Sequence, residues 1–170
     1  MKRIYLLMFF LALAVICVDA KKNDNQSYEY ELETSTSFPS ATSGHVVFKV
    51  WSYGKEKNLL TKDVCMRNAI HGILFKGLVA PDSGTQGNVN ALVPGGYETD
   101  KKFFDEFFNS GEYMKYIQLT NRGGIQAGDV MKISSKIYKV GMLVQVNLGA
   151  LRKRMEDAGV IKSARSIFSK

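Results

Sequence analysis

Between His45 and Phe75 the spacing of apolar residues changes, and no single type of secondary structure accommodates both halves. His45-Val-Val-Phe-Lys-Val-Trp-Ser-Tyr53 is β-branched and aromatic and closes on Gly54. Its side chains alternate: Val46, Phe48 and Val50 form one wholly apolar set, and Val47, Lys49, Trp51 and Tyr53 form the other. A period of two is a strand, with the first set facing a core and Trp51 either covering the outer face or lining a groove. After the polar turn Gly-Lys-Glu-Lys-Asn58, apolar residues recur at Leu59, Leu60, Val64, Met66, Ala69, Ile70, Ile73 and Leu74. That spacing predicts an amphipathic helix over Leu59–Phe75, capped by Asn58 and stopped near Gly77. Gly72 inside it implies close packing on the sheet.

The rest of the chain continues the mixture. Asp100–Tyr116 is predicted as a helix capped by Thr99 or Asp100. It carries Phe103, Phe104, Phe107 and Phe108 in two adjoining rows, with a kink or interruption at Asn109-Ser-Gly111. These rings fit a core, or alternatively a ligand cradle. Tyr116–Thr120 and Val130–Leu148 are strand material, the latter broken near Lys139–Gly141, and Ala150–Ala158 is a short helix before Gly159. Along Val130–Leu148, Met131, Ile133, Ser135 and Ile137 alternate with Lys132, Ser134 and Lys136, which implies one wet face and antiparallel pairing. The expected class is α+β, a mixed or mainly antiparallel sheet with helices packed on one face.

The 170 residues are 45% hydrophobic with ten Phe and eight Tyr, which excludes whole-chain disorder. A domain of this size hides about 68–70% of its unfolded surface, so it needs neither metal nor disulfide to stand. Four segments are expected: 1–20, 21–44, 45–160 and 161–170. The first, Met1–Ala20, has Lys2 and Arg3 ahead of an uncharged run from Ile4 to Val18, then Val18 and Ala20 as small residues before a cut. That is the grammar of a cleaved secretory signal, and the run is short for a spanning anchor. The expected address is the periplasm or the extracellular space, with Lys21 as the new N-terminus. Cys17 offers a second route to the membrane, a lipid tether, although Val15 and Ile16 before it fit that poorly.

After the cut, 21 basic and 15 acidic side chains leave a net charge of +6, and Cys65 is the one remaining cysteine. Cys65 can form no internal disulfide and reads as a buried small side chain. Residues 21–44 are polar, rich in Ser and Thr, and read as a flexible arm with a short strand at Tyr28–Leu32. Residues 77–99 hold five glycines with Pro81 and Pro94, a long loop suited to a lid or a partner surface. Residues 45–160 form one domain, and 161–170 a basic tail.

The stretch with Lys49-Val-Trp-Ser-Tyr-Gly54, Arg67-Asn-Ala-Ile70 and Phe75-Lys-Gly77, followed later by Val144-Gln-Val-Asn-Leu148 and Leu151-Arg-Lys-Arg-Met155, is similar to uncharacterised exported proteins of Bacteroidetes-type bacteria. More distantly it resembles the N-terminal domain of flagellar assembly protein T and related envelope lipoproteins. The likeness covers roughly residues 45–160. It implies an envelope-located α+β module that works by binding or assembly, and it brings no catalytic residues with it.

Chemistry is sparse. His45 and His71 show no HExxH or His-x₃-His spacing, and no phosphate loop or EF-hand occurs. His71 lies six positions from Cys65, about 240° around a helix, so the two share no face; His45 could reach Cys65 only through the fold. Ser83 lacks the nucleophile elbow. Asp105/Glu106 and Glu156/Asp157 point about 100° apart as helix neighbours, as solvated carboxylates do. No metal and no cofactor are expected. From Val130 to Lys170 nine basic residues meet only Glu156 and Asp157, a local charge of +7, whereas 21–44 carries −2. The candidate binding residues are Lys132, Lys136, Arg152, Lys153 and Arg154, joined on one surface, and the expected partner is an envelope protein or an anionic surface rather than nucleic acid. The alternative is a small secreted hydrolase or ligand-binding enzyme with its site near the 77–99 loop.

Overall fold

The structure, a computed structural model, describes residues 29–35, 38, 43–79, 88–120 and 128–162. The signal segment with Cys17, Tyr28, Ser83, the glycines at 84, 87, 123 and 124, and the tail from 163 lie outside the described residues.

Strands β1 (Tyr30–Glu33), β2 (His45–Gly54), β3 (Ile117–Leu119), β4 (Val130–Ser134) and β5 (Ile137–Asn147) form one open sheet. Its order is β1-β2-β5-β3, with β4 also on β5, and every strand pairing is antiparallel. β2 and β5 run together from His45↔Asn147 to Gly54↔Tyr138. β3 and β4 share the other edge of β5, β3 along Val144–Val146 and β4 along Ile137–Val140.

Among the described residues, three helices pack on the sheet: α1 (Lys62–Phe75) after β2, α2 (Lys101–Asn109) before β3, and α3 (Leu148–Asp157) after β5. Val46, Phe48 and Val50 of β2, with Val140, Met142, Val144 and Val146 of β5, meet Ile70, Ile73 and Leu74 of α1, Phe104, Phe107 and Phe108 of α2, and Leu151 and Met155 of α3 in one buried cluster. The fold is α+β with its helices on one face of an antiparallel sheet. The phenylalanine rows are core: Phe104 and Phe107 are 0% and 1% exposed. Inside this layer Asn68 Nδ2 of α1 donates to Ser52 Oγ of β2 at 2.9 Å, so a buried amide and hydroxyl satisfy each other.

The local chemistry explains the boundaries. Asp100 accepts from the Phe103 amide and starts α2, and Gly111, at φ 76°, ends that segment and leads into a 3₁₀ turn at Glu112–Tyr116. α1 starts later than its apolar spacing suggested. Lys57–Leu59 is a separate 3₁₀ turn, Thr61 rather than Asn58 caps the helix, and Leu59 is left 63% exposed while Leu60 is buried.

Three expectations are corrected. The short strand expected at Tyr28–Leu32 is present at Tyr30–Glu33, but it is an edge strand of the sheet rather than part of a loose arm, and Tyr30 is only 6% exposed. Gly72 eases that docking: a Cβ there would lie 2.6 Å from Leu32 Cδ1, so any larger residue would push the Leu32 and Tyr30 side chains aside. The long strand breaks at the Ser135-Lys136 turn and not near Gly141. Gly141 continues the ladder because the Trp51 ring occupies the space where its side chain would stand. Finally, β4 has no dry face, for Met131 is 37% and Ile133 55% exposed. The pairing adds an extra residue in β4 between Lys132 and Ser134, a bulge that disturbs the alternation there.

Candidate binding surfaces

Asp63, Arg67, His71 and Phe75 follow one another at four-residue spacing and so form a row along α1. At its start, Asp63, Val64 and Arg67 meet Phe108, Asn109, Ser110, Gly111, Tyr113 and Met114 around an open groove of about 400 Å³. The Arg67 guanidinium stands 5.2 Å from the Phe108 ring centre, and Tyr113 donates to the Asp63 carbonyl at 3.3 Å. The groove therefore offers one carboxylate, one stacked cation and a thioether.

Farther along the row, His71 enters an aromatic box. Its ring lies 4.7 Å from Phe75, 5.6 Å from Tyr30, 6.1 Å from Phe108 and 6.2 Å from Tyr97, centre to centre. Tyr30 Oη and His71 Nδ1 share a hydrogen bond of 2.7 Å. Burial first, then the charges of Lys76 and Arg67, pull the His71 pKa down to about 4. The imidazole is neutral at pH 7 and ties edge strand β1 to α1. The four-residue spacing was legible in the sequence; the Tyr30 contact, 41 residues away, was not.

On the opposite face, which none of the described helices covers, Trp51 lies between two lysines, with Lys49 Nζ 4.8 Å and Lys139 Nζ 4.7 Å from its ring centre. Its indole N–H donates to Glu33. Lys49 pairs with Asp129 at 2.7 Å and Lys139 with Glu31 at 3.0 Å. Trp51 is 8% exposed, so it covers the outer face rather than lining a groove.

The five basic residues expected to form one surface do not. Lys132 and Lys136 belong to the β4–β5 hairpin, while α3 begins at the far end of β5. Tyr138, opposite Lys132, and Asn147, which caps α3, are nine residues or about 30 Å apart along the strand. Nor do Arg152, Lys153 and Arg154 share a face, since helix neighbours diverge by about 100°. Arg152 is exposed, Lys153 pairs with Asp157 at 3.1 Å, and Arg154 grips Glu112 through Nε at 2.7 Å and Nη2 at 3.1 Å. That two-pronged bond holds the Glu112 carboxyl below its ordinary pKa, and Arg154 also lies over Phe103. Arg154 thus fastens α3 to the turn before β3. Lys132 and Lys136 are exposed and pair with no acidic side chain among the described residues.

The candidate nucleophile pair is not assembled either. Cys65 is fully buried against Ser52, burial raises its thiol pKa, and His45 lies seven residues along β2 from Ser52, about 23 Å. No group of three or more His, Cys, Asp or Glu suited to a metal occurs among the described residues, and no helix among them is long and apolar enough to cross a membrane. Near the 77–99 loop, Leu78, Leu92 and Val93 are buried in the core, and the groove opens instead at the other end of α2. No protein-family model, curated protein or solved structure matches the chain.

Proposed function

We propose that the chain is an exported, envelope-associated module that binds another protein or an anionic surface and performs no catalysis of its own. The observation that carries this reading is the state of its cations. Lys49, Lys101, Lys139, Lys153 and Arg154 are each paired with a carboxylate of the same chain, whereas Lys132 and Lys136, like Lys55, Lys57, Lys62 and Arg152, are exposed and form no ion pair among the described residues. Cations left unpaired at a surface attract anions from outside. In an exported protein these anions are phospholipid, lipopolysaccharide or an acidic protein sooner than nucleic acid. The signal-like Met1–Ala20 supports export.

Two measurements test the reading. N-terminal sequencing of the protein recovered from its own cells should begin at Lys21. Its retention on an immobilised acidic polysaccharide should weaken steeply with added salt, because charges are screened over about 8 Å at physiological ionic strength. A cytoplasmic protein that keeps Met1, or passage over the polyanion without salt-dependent delay together with no binding to anionic vesicles or to an acidic protein, refutes it.

A further inference from the structure

We infer that the tip of the β4–β5 hairpin docks on an anionic lipid surface, its isoleucines entering the interface while its lysines contact the headgroups. The inference rests on the binding reading above and names the partner and the contact point. Six large apolar side chains are exposed among the described residues, and Met131, Ile133 and Ile137 of this hairpin are three of them, at 37%, 55% and 38%. Leu59, 63% exposed, belongs to a turn that follows β2 at the same end of the sheet, where Gly54 pairs with Tyr138. Beyond that last pair the hairpin continues through Ile133 and Ser134 of β4 and Ile137 of β5 before turning at Ser135-Lys136, so β2 does not cover its tip.

The polar complement is cationic. Residues 130–138 contain Lys132 and Lys136 and no acidic residue, and Lys55, Lys57 and Lys62 are exposed at the same end beside Glu29, Glu56 and Asp63. Five lysines against three carboxylates leave this end positive. Apolar side chains flanked by lysines match an interface with hydrocarbon beneath anionic headgroups. A protein partner fits less well. A stable protein interface needs about 800 Å² from each side, and a two-residue turn with three exposed apolar side chains supplies a small fraction of that. A lipid surface asks for no shape complementarity.

The test is cosedimentation of the protein released by its own cells with vesicles of phosphatidylcholine alone and of phosphatidylcholine with 30% phosphatidylglycerol. The wild type should partition onto the anionic vesicles and hardly onto the neutral ones. Lys132→Glu/Lys136→Glu should lower the partition coefficient by about thirty-fold or more, as two interfacial lysines are worth together. Ile133→Ser/Ile137→Ser should lower it at least about tenfold with unchanged circular dichroism, since both side chains are already exposed in the fold. Equal binding to both vesicle types, or an isoleucine variant that binds like the wild type, overturns the inference. So does a tip that captures an acidic protein while ignoring vesicles. In that last case, or where the acidic polysaccharide retains the protein and vesicles do not, the broader binding reading survives; failure on polyanion, vesicles and acidic protein alike removes both.

Discussion

Acidification should weaken the fold through His71 before it reaches the carboxylates. His71 faces Tyr30 of β1, Arg67 and Lys76 of α1 and its end, and the rings of Phe75, Tyr97 and Phe108, with Asp105 bonded to Tyr97 beyond them. Its folded pKa is about 4 against 6.5 for the free side chain. Between these values the unfolded chain binds a proton that the native one refuses, so stability is complete above pH 6.5 and is lost as pH falls toward 4. Linkage over that interval gives a loss of about 2 kcal/mol from pH 7.5 to pH 5, and solvent at the partly exposed ring trims it to about 1 kcal/mol. Glu31 and Glu112, whose hydrogen bonds to Tyr53 and Arg154 lower their pKa below 4.5, add losses only at lower pH. Urea unfolding followed by circular dichroism at pH 7.5 and 5 reads the difference in wild type and in His71→Phe. The variant should start less stable, because Tyr30 loses its partner, yet change little between the two pH values. Parallel losses in both proteins would refute the assignment of the pH dependence to His71.

Two further outcomes follow from burial. Phe104→Ala should cost about 3–5 kcal/mol, a large share of a domain's total stability, and Phe104→Ala/Phe107→Ala should leave no cooperative thermal transition; a well-folded double variant would mean that the rings do not form the core. Cys65, fully buried with its thiol pKa raised, should resist Ellman's reagent in the native protein and react at once in urea, as mapped by peptide mass spectrometry, and rapid labelling of native Cys65 would show that the helix layer opens there.

The long elements were legible because their signals are local and repeated. Ten residues of alternating side chains in β2 and fourteen of helical spacing in α1 leave one way to hide the apolar set, and the α+β class follows from having both. Asp100 and the positive-φ Gly111 likewise mark the boundaries of α2 through their own side chain, or lack of one.

Where a residue's role depends on something distant in sequence, only the tertiary structure decided it. The short strand near Tyr30 was legible, but its place was not: Tyr30–Glu33 belongs to the sheet because β2 offers it an edge and Gly72 leaves room for Leu32. Gly141 read as a break because glycine disfavours strands, but Trp51, across the ladder, needs that space. The basic residues near the C-terminus looked equivalent in a count of charge. Glu112, 42 positions from Arg154, makes one of them a structural fastening, and the length of β5 carries Lys132 and Lys136 away from the rest. A charge tally records how many cations a chain has, whereas pairing distance and strand length determine which remain available to a partner.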